Sequence, residues 1–330
     1  MRWGIIGYGW VARDYMAPGI CAAGGTVAAV CDPSAAAREI AERDGARAYG
    51  EVSSMLEAGG LDALYIAAPN NCHEEALDGA LASGLPILCE KPLAQDGAAV
   101  ERIADRVAGY RSPLGVAFDQ RHHPAHVVMR DRIAAGDLGT VTAVRIVYCC
   151  WVDPAWNRGT GANWRADADC AGGGAVLDLA PHGLDLAHFL LGEPIEDIAI
   201  TLQRRVHDYP VEDGGMVHGR TASGVLFSSH TSYNWPEPLP RRRLEIAGTR
   251  GLIVASDTMG QEAGGHATRI DARDGRHETL QFDTSLSPFA AQAAAFTAQV
   301  RAGSGSFSID RDVHAARRFF AAYREAQACL

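Results

Sequence analysis

The segment Gly7-Tyr8-Gly9-Trp10-Val11-Ala12, directly behind the apolar run Trp3–Ile6, constrains this chain more than any other feature. It reads G-x-G-x-x-A, and Asp32 follows its last residue by 20 positions. The order is that of a strand, a tight glycine turn, a helix start and then an acid closing the next strand. Gly7 lets the chain turn sharply, Gly9 lets backbone approach a pyrophosphate, and Ala12 lets the helix pack closely. Phosphates would rest on the helix beginning near Trp10, where free N–H groups and the helix dipole favour negative charge. Asp32 ends the run Val27–Cys31 and precedes Pro33-Ser34. Its carboxylate can accept both hydroxyls of an adenosine ribose and would repel a 2′-phosphate, so NAD is expected ahead of NADP. Capping of the next helix is a second role open to the same side chain.

Apolar runs recur at Trp3–Ile6, Val27–Cys31, Ala63–Ala67, Pro86–Cys89 and Leu114–Phe118, with helical stretches near Ala35–Arg43, His73–Ala82 and Ala98–Ala108. This alternation predicts an α/β domain over residues 1–120, a doubly wound parallel sheet of the Rossmann kind. Beyond it, a helical bridge near Ala125–Ala135 leads into strand patterns at Val141–Trp151, Ile195–Arg205, Met216–Arg220, Val225–Tyr233, Arg242–Ile246, Gly251–Ser256, Thr268–Asp271 and His277–Phe282. Helices are expected near Ala175–Leu191, Pro288–Arg301 and Asp310–Ala326. Residues 121–330 therefore read as an α+β domain with a large, mostly antiparallel sheet, open on one face and suited to pairing into a homo-oligomer.

The formal net charge of −10 argues against nucleic-acid binding, which needs a basic surface. No stretch approaches a membrane span, no leader is expected ahead of the first apolar run, and eight cysteines occur without a CxxC pair. A cytoplasmic protein is expected.

Four segments bear on chemistry. Ala67-Ala68-Pro69-Asn70-Asn71-Cys72-His73 follows the run Ala63–Ala67, where polar residues of a doubly wound sheet face its ligand; turn and cap chemistry is the plainer role. Glu90-Lys91-Pro92 closes the run Pro86–Cys89; Glu90 suits a ribose and Lys91 a substrate oxygen, against a surface ion pair. In Gly172-Gly173-Gly174-Ala175-Val176-Leu177-Asp178-Leu179-Ala180-Pro181-His182, the aspartate and histidine fall four apart on one helix face. That pair suits general acid–base work or a structural contact, and no third ligand of fitting spacing supports a metal site. The long loop Trp151–Cys170 carries Trp156, Asn157, Arg158, Asn163, Trp164 and Arg165, a mixture fitted to a polyhydroxylated ligand or to closing an apolar edge.

Taken together, GYGWVA, the P-N-x-x-H segment ending at His73, Glu90-Lys91-Pro92, Arg121 ahead of Pro124, Trp164-Arg165 and the GGG…D…H segment resemble the glucose–fructose oxidoreductase / inositol dehydrogenase / rhizopine-catabolism (Gfo/Idh/MocA) family along essentially the whole chain. The resemblance implies a catalytic group of Lys91, Asp178 and His182. With the segments above, it puts cofactor contacts on Gly7, Gly9, Trp10, Val11, Asp32, Pro69, Asn70, His73, Glu90, Lys91 and Gln120. Substrate contacts fall on Lys91, Arg121, Trp156, Asn157, Trp164, Arg165, Asp178 and His182. It further implies NAD-dependent oxidation of a secondary hydroxyl of a sugar, inositol or related polyol, with His182 or a lysine of lowered pKa as base. NAD-assisted redox cleavage of glycosides and a non-catalytic dinucleotide sensor are the alternatives. Two departures stand out: Ala68 replaces a usual threonine, weakening one cofactor hydrogen bond, and Ala180 replaces a common glycine, leaving the catalytic side chains in place. Arg121, Arg158 and Arg165 together raise the prospect of an anionic substrate.

Overall fold

The computed structural model describes residues 1–156 and 163–330. Strands β1 (Arg2–Ile6), β2 (Thr26–Cys31), β3 (Arg47–Tyr49), β4 (Ala63–Ile66), β5 (Ile87–Cys89) and β6 (Leu114–Val116) form a parallel sheet in the order β3-β2-β1-β4-β5-β6. Residues Ala63–Ile66 and Ile87–Cys89 are buried throughout, as strands covered on both faces must be. The order reverses between β1 and β4, so a crevice opens beyond their carboxyl ends, where doubly wound sheets bind ligands.

Gly7 makes the turn after β1 at φ +88°, and a Cβ there would meet the Ala67 carbonyl atoms at 2.7 Å. Helix follows from Trp10, through a π-helical turn at Ala12–Met16, into α1 (Ala17–Ala22). Next come α2 (Ala35–Arg43), α3 (Val52–Glu57), α4 (His73–Leu81) and α5 (Gly97–Val107). Ser34 and Asp96 cap α2 and α5 by accepting the N–H groups of Ala37 and Ala99.

After α6 (Pro124–Ala134), β7 (Val141–Cys149) enters the second sheet. Between it and the remaining strands lie α7 (Ala168–Ala171) and α8 (Ala175–Leu191). The other strands are β8 (Ala199–Gln203), β9 (Gly214–Arg220), β10 (Leu226–Ser232), β11 (Arg242–Gly248), β12 (Gly251–Ser256), β13 (His266–Asp271) and β14 (His277–Thr279). They run in the order β14-β13-β12-β11-β7-β10-β9-β8, antiparallel except for the parallel pair β7/β10. Both sheets thus have the predicted character. Helix α8 packs on one face of this sheet, while Met216 and Leu226 stand exposed on the other. Of the last two helices, α9 (Pro288–Ala302) crosses back to the first sheet, where Phe296 packs on Trp3 with ring centroids 5.5 Å apart. The final helix, α10 (Ile309–Gln327), lies against α5 and β8.

Candidate active site

The triple glycine before α8 is a threading device. A Cβ on Gly173 would lie 2.1 Å from the Tyr323 hydroxyl, and one on Gly174 would lie 1.9 Å from the Glu212 carbonyl. The buried Glu212 carboxylate accepts the N–H groups of Gly174 (2.8 Å), Val176 (3.0 Å) and Leu177 (3.3 Å), holding the first turn of α8. Asp178 and His182 follow on that anchored helix. Both face a cavity of about 230 Å³ together with Trp10, Val11, Glu90, Lys91, Asp119 and Tyr148.

Lys91 reaches into this cavity from the carboxyl end of β5. Its Nζ donates to the Asp178 carboxylate and to the Asp178 carbonyl oxygen at 3.2 Å. The Tyr233 hydroxyl donates to the other carboxylate oxygen at 2.6 Å. Burial by itself would raise the Asp178 carboxyl, but Lys91 and Arg165 hold it well below the usual carboxylate range, so it stays ionised. Burial and the nearby Lys91 charge push the His182 imidazole down to about 3, leaving it neutral near pH 7. Its buried Nδ1 lies 3.5 Å from Asp119 Oδ1, and its ring stands edge-on to Tyr148 and Phe118. Burial and the neighbouring Glu90 push the Asp119 carboxyl up to about 8. Glu90 is also raised by burial, and accepts the Tyr65 hydroxyl at 2.5 Å.

The glycine turn fits a dinucleotide. A Cβ on Gly9 would meet no protein atom within 4 Å, so its absence serves the ligand side rather than packing. Asp32 accepts the Tyr8 N–H and the Ser34 N–H, both at 2.8 Å, fixing the turn and the next helix start together. Arg38 lies beside it, donating to the Asp32 and Pro33 carbonyls.

Several sequence expectations change on inspection of the geometry. Arg121 does not line the cavity: it is buried, with its guanidinium paired to Asp185 and Asp312 beneath Phe118. His73 is buried with Nδ1 2.9 Å from the Pro92 carbonyl and Nε2 2.9 Å from the Ala68 carbonyl, tying together the loops after β4 and β5. Asn70 donates to the Ala171 carbonyl, and Pro69 caps the short 3₁₀ turn Asn70–Cys72. Gln120 is turned to the Asp119 carboxylate and the Gly260 backbone. These four hold the loops in place and are not among the residues lining this cavity. Trp164 also lies off the cavity wall, backing the Arg165 guanidinium at 4.5 Å, whereas Trp156 and Trp10 line it and flank that cation at 5.4 and 5.8 Å. Asn157 and Arg158 lie outside the described residues.

Sequence reasoning missed Asp119, Tyr148, Tyr233 and Arg242. Asp119 had a readable signal, an acid directly after an apolar strand end in the segment that supplied Gln120 and Arg121. Tyr148 lies in β7 and Tyr233 directly follows β10, and the ends of these strands reach α8 only through the sheet order, which no local pattern reports.

The fold and this site define a two-domain dinucleotide-dependent oxidoreductase. Residues 1–118 match the model of an oxidoreductase family with an NAD-binding Rossmann fold, and residues 126–254 match the GFO/IDH/MocA C-terminal domain. The chain belongs to the Gfo/Idh/MocA family. It is 31% identical over 297 residues to a 1,5-anhydro-D-fructose reductase of Ensifer adhaerens, covering 87% of this chain and 86% of that one. It is 27% identical to an inositol 2-dehydrogenase of Leifsonia xyli, covering 85% and 79% of the two chains. A solved levoglucosan dehydrogenase in complex with NADH and levoglucosan has the same fold, with a TM-score of 0.86, 22% identity and coverage of 99% and 97%.

Proposed function

We propose that this chain is a dehydrogenase that oxidises a secondary hydroxyl of a sugar or polyol, with NAD preferred to NADP. The carrying observation is that Lys91, Asp178 and a neutral His182 share one cavity with the start of the glycine-turn helix. The named substrates of the reductase, inositol and levoglucosan relatives support the substrate class. Gly7, Gly9, Trp10, Val11, Asp32 and Glu90 would hold the dinucleotide, which when bound takes a hydride from the carbon bearing the hydroxyl.

The protein's part is proton handling and charge. The substrate hydroxyl sits between Lys91 and His182. His182, which lines the cavity beside Lys91, accepts the hydroxyl proton on its imidazole. The Lys91 ammonium donates to the same oxygen as negative charge develops on it. Asp178 keeps that ammonium in position, and Tyr233 keeps Asp178 from turning. Trp10, Trp156 and Trp151 offer aromatic faces to the C–H side of a sugar ring. The exposed apolar face around Met216 and Leu226 is assigned to a second copy of the chain.

A panel of neutral sugars, inositols and sugar acids, assayed for NADH formation, tests the reading. Accumulating NADH with at least one class is expected. Tight NAD binding with no turnover on any of them would overturn it in favour of a sensor.

A further inference from the structure

Strand β11 alternates cleanly: Leu244 and Ile246 point inward and are fully buried, Arg243 and Glu245 point outward. Arg242 occupies the next inward position, in register with Tyr148, whose ring packs on His182 at 5.7 Å. An arginine on the inward row of a core strand needs a partner. Among the described residues its side chain has no hydrogen-bond or ion-pair partner, and its Nε is buried without an acceptor. Residues 157–162 contain no carboxylate that could supply one.

The acids around the cavity are each engaged elsewhere. Asp178 holds Lys91, Glu237 lies 3.5 Å from Arg241, and Glu262 accepts the Tyr15 hydroxyl. Glu90 accepts Tyr65, and Asp119 lies beside His182 and Gln120. The guanidinium of Arg242 meanwhile lies flat against Gly260, where a Cβ would come within 2.5 Å of it, and Gln120 pins that glycine through both backbone groups. A positioned cation with no partner among the described residues is thus built into the cavity wall, and its fork suits an oxyanion.

We propose that Arg242 reads an anionic group of the substrate, so that the substrate is a sugar or polyol bearing a carboxylate or phosphate away from the reacting hydroxyl. The inference rests on the dehydrogenase reading for the reaction, and on Arg242 alone for the anion. Of the arginines Arg121, Arg158 and Arg165 that the sequence offers for an anion, Arg121 is consumed in its own ion pairs, Arg158 lies outside the described residues and the Arg165 guanidinium lies over the Trp10, Trp156 and Trp164 rings.

The test compares kcat/KM for uronates and aldonates, for sugar phosphates, and for the matching neutral sugars, in wild type, Arg242→Gln and Arg242→Lys. One anionic class should exceed its neutral counterpart by roughly tenfold or more, and Arg242→Gln should cut that selectivity ratio by roughly tenfold, chiefly through KM, with partial recovery in Arg242→Lys. Which of the two classes leads identifies the anion. A wild type that prefers neutral sugars, or an unchanged ratio in Arg242→Gln, overturns the proposal. Tryptophan-fluorescence titration of the NAD-loaded protein with glucuronate and glucose 6-phosphate separates the two ideas. Anion binding that weakens in Arg242→Gln without turnover upholds the anion site and defeats the dehydrogenase reading. No saturable binding of either probe defeats the anion site.

Discussion

Lys91 and Asp178 join the two halves of the molecule at the candidate site: the ammonium comes from the end of β5, the carboxylate from α8, and they meet as a direct ion pair. In the proposed reaction the pair would give a developing alkoxide a fixed cation, and it gives a buried carboxylate its counter-charge. Lys91→Met is therefore expected to act twice. Turnover should fall by about a hundredfold or more, as loss of a charge-stabilising donor does. Stability should fall by about 1–3 kcal/mol, because Asp178 would keep only the Tyr233 hydroxyl. Chemical denaturation alongside steady-state kinetics checks both, and near-normal turnover would remove Lys91 from the mechanism.

His182 lines the cavity with Asp119 and Tyr148 as its neighbours, and is proposed to act at the reacting hydroxyl. His182→Asn should lower kcat by about a hundredfold or more through loss of the base. The NAD dissociation constant should move by less than about threefold, the mark of a residue remote from the cofactor's anchoring contacts. Equal losses in both quantities would assign it to cofactor binding instead.

Arg121 carries the clearest change of role. Its guanidinium is buried between two carboxylates, Asp185 and Asp312, and Asp312 also accepts the Val116 N–H at 2.8 Å. Arg121→Leu leaves Asp185 unpaired in the interior, while Asp312 keeps Arg311 at 2.9 Å, and the loss should cost about 3–5 kcal/mol. The expected outcome is a large drop in thermal stability, with substrate KM little altered in the folded fraction. A stable variant with a raised KM would restore the substrate-contact role.

What the sequence made legible follows range. The glycine turn, the E-K-P lysine and the Asp178–His182 spacing are local patterns, and each stands where its pattern put it. All eight strands of the second sheet were readable from their runs, while β3 (Arg47–Tyr49) and α3 (Val52–Glu57) were not. The first is a three-residue edge strand with an exposed arginine, and the second a six-residue helix with only Met55 buried. Site residues failed to be readable where a partner distant in sequence decides the role. His73 and Gln120 are polar groups at strand ends, as ligand contacts would be, and no local pattern reports their bonds to the carbonyls of Pro92 and Gly260. Arg242 is the converse: a basic triplet resembles a solvated strand end until β11 takes its register against β7 and turns the middle arginine inward.

Asp32 is the residue proposed to set the cofactor choice through charge, and Arg38 stands next to it. The Asp32 carboxylate would meet a 2′-phosphate at close range, a cost of about 1–3 kcal/mol, so NAD should exceed NADP in kcat/KM by at least about tenfold. Asp32→Ser should narrow that ratio, because it removes the repelling charge and leaves the Arg38 guanidinium nearby. Equal use of both cofactors by the wild type would refute the assignment.

Asp119 makes stability depend on pH with a definite sign. Its carboxyl is pushed up to about 8 by burial and by Glu90, against about 3.9 in an unfolded chain. Between those values the native state holds a proton that the unfolded state has released. Stability from this group is therefore greatest in acid, and declines as pH rises toward 8. Asp119→Asn keeps the shape and removes the titration. Melting temperatures of both proteins, measured between about pH 6 and pH 9, isolate the contribution, since every other group is common to the pair. The wild-type melting temperature should fall relative to the variant over that interval. A constant difference, or one growing in the opposite direction, would mean that Asp119 is ionised throughout. His182 Nδ1 would then face a permanent anion instead of a neutral acid.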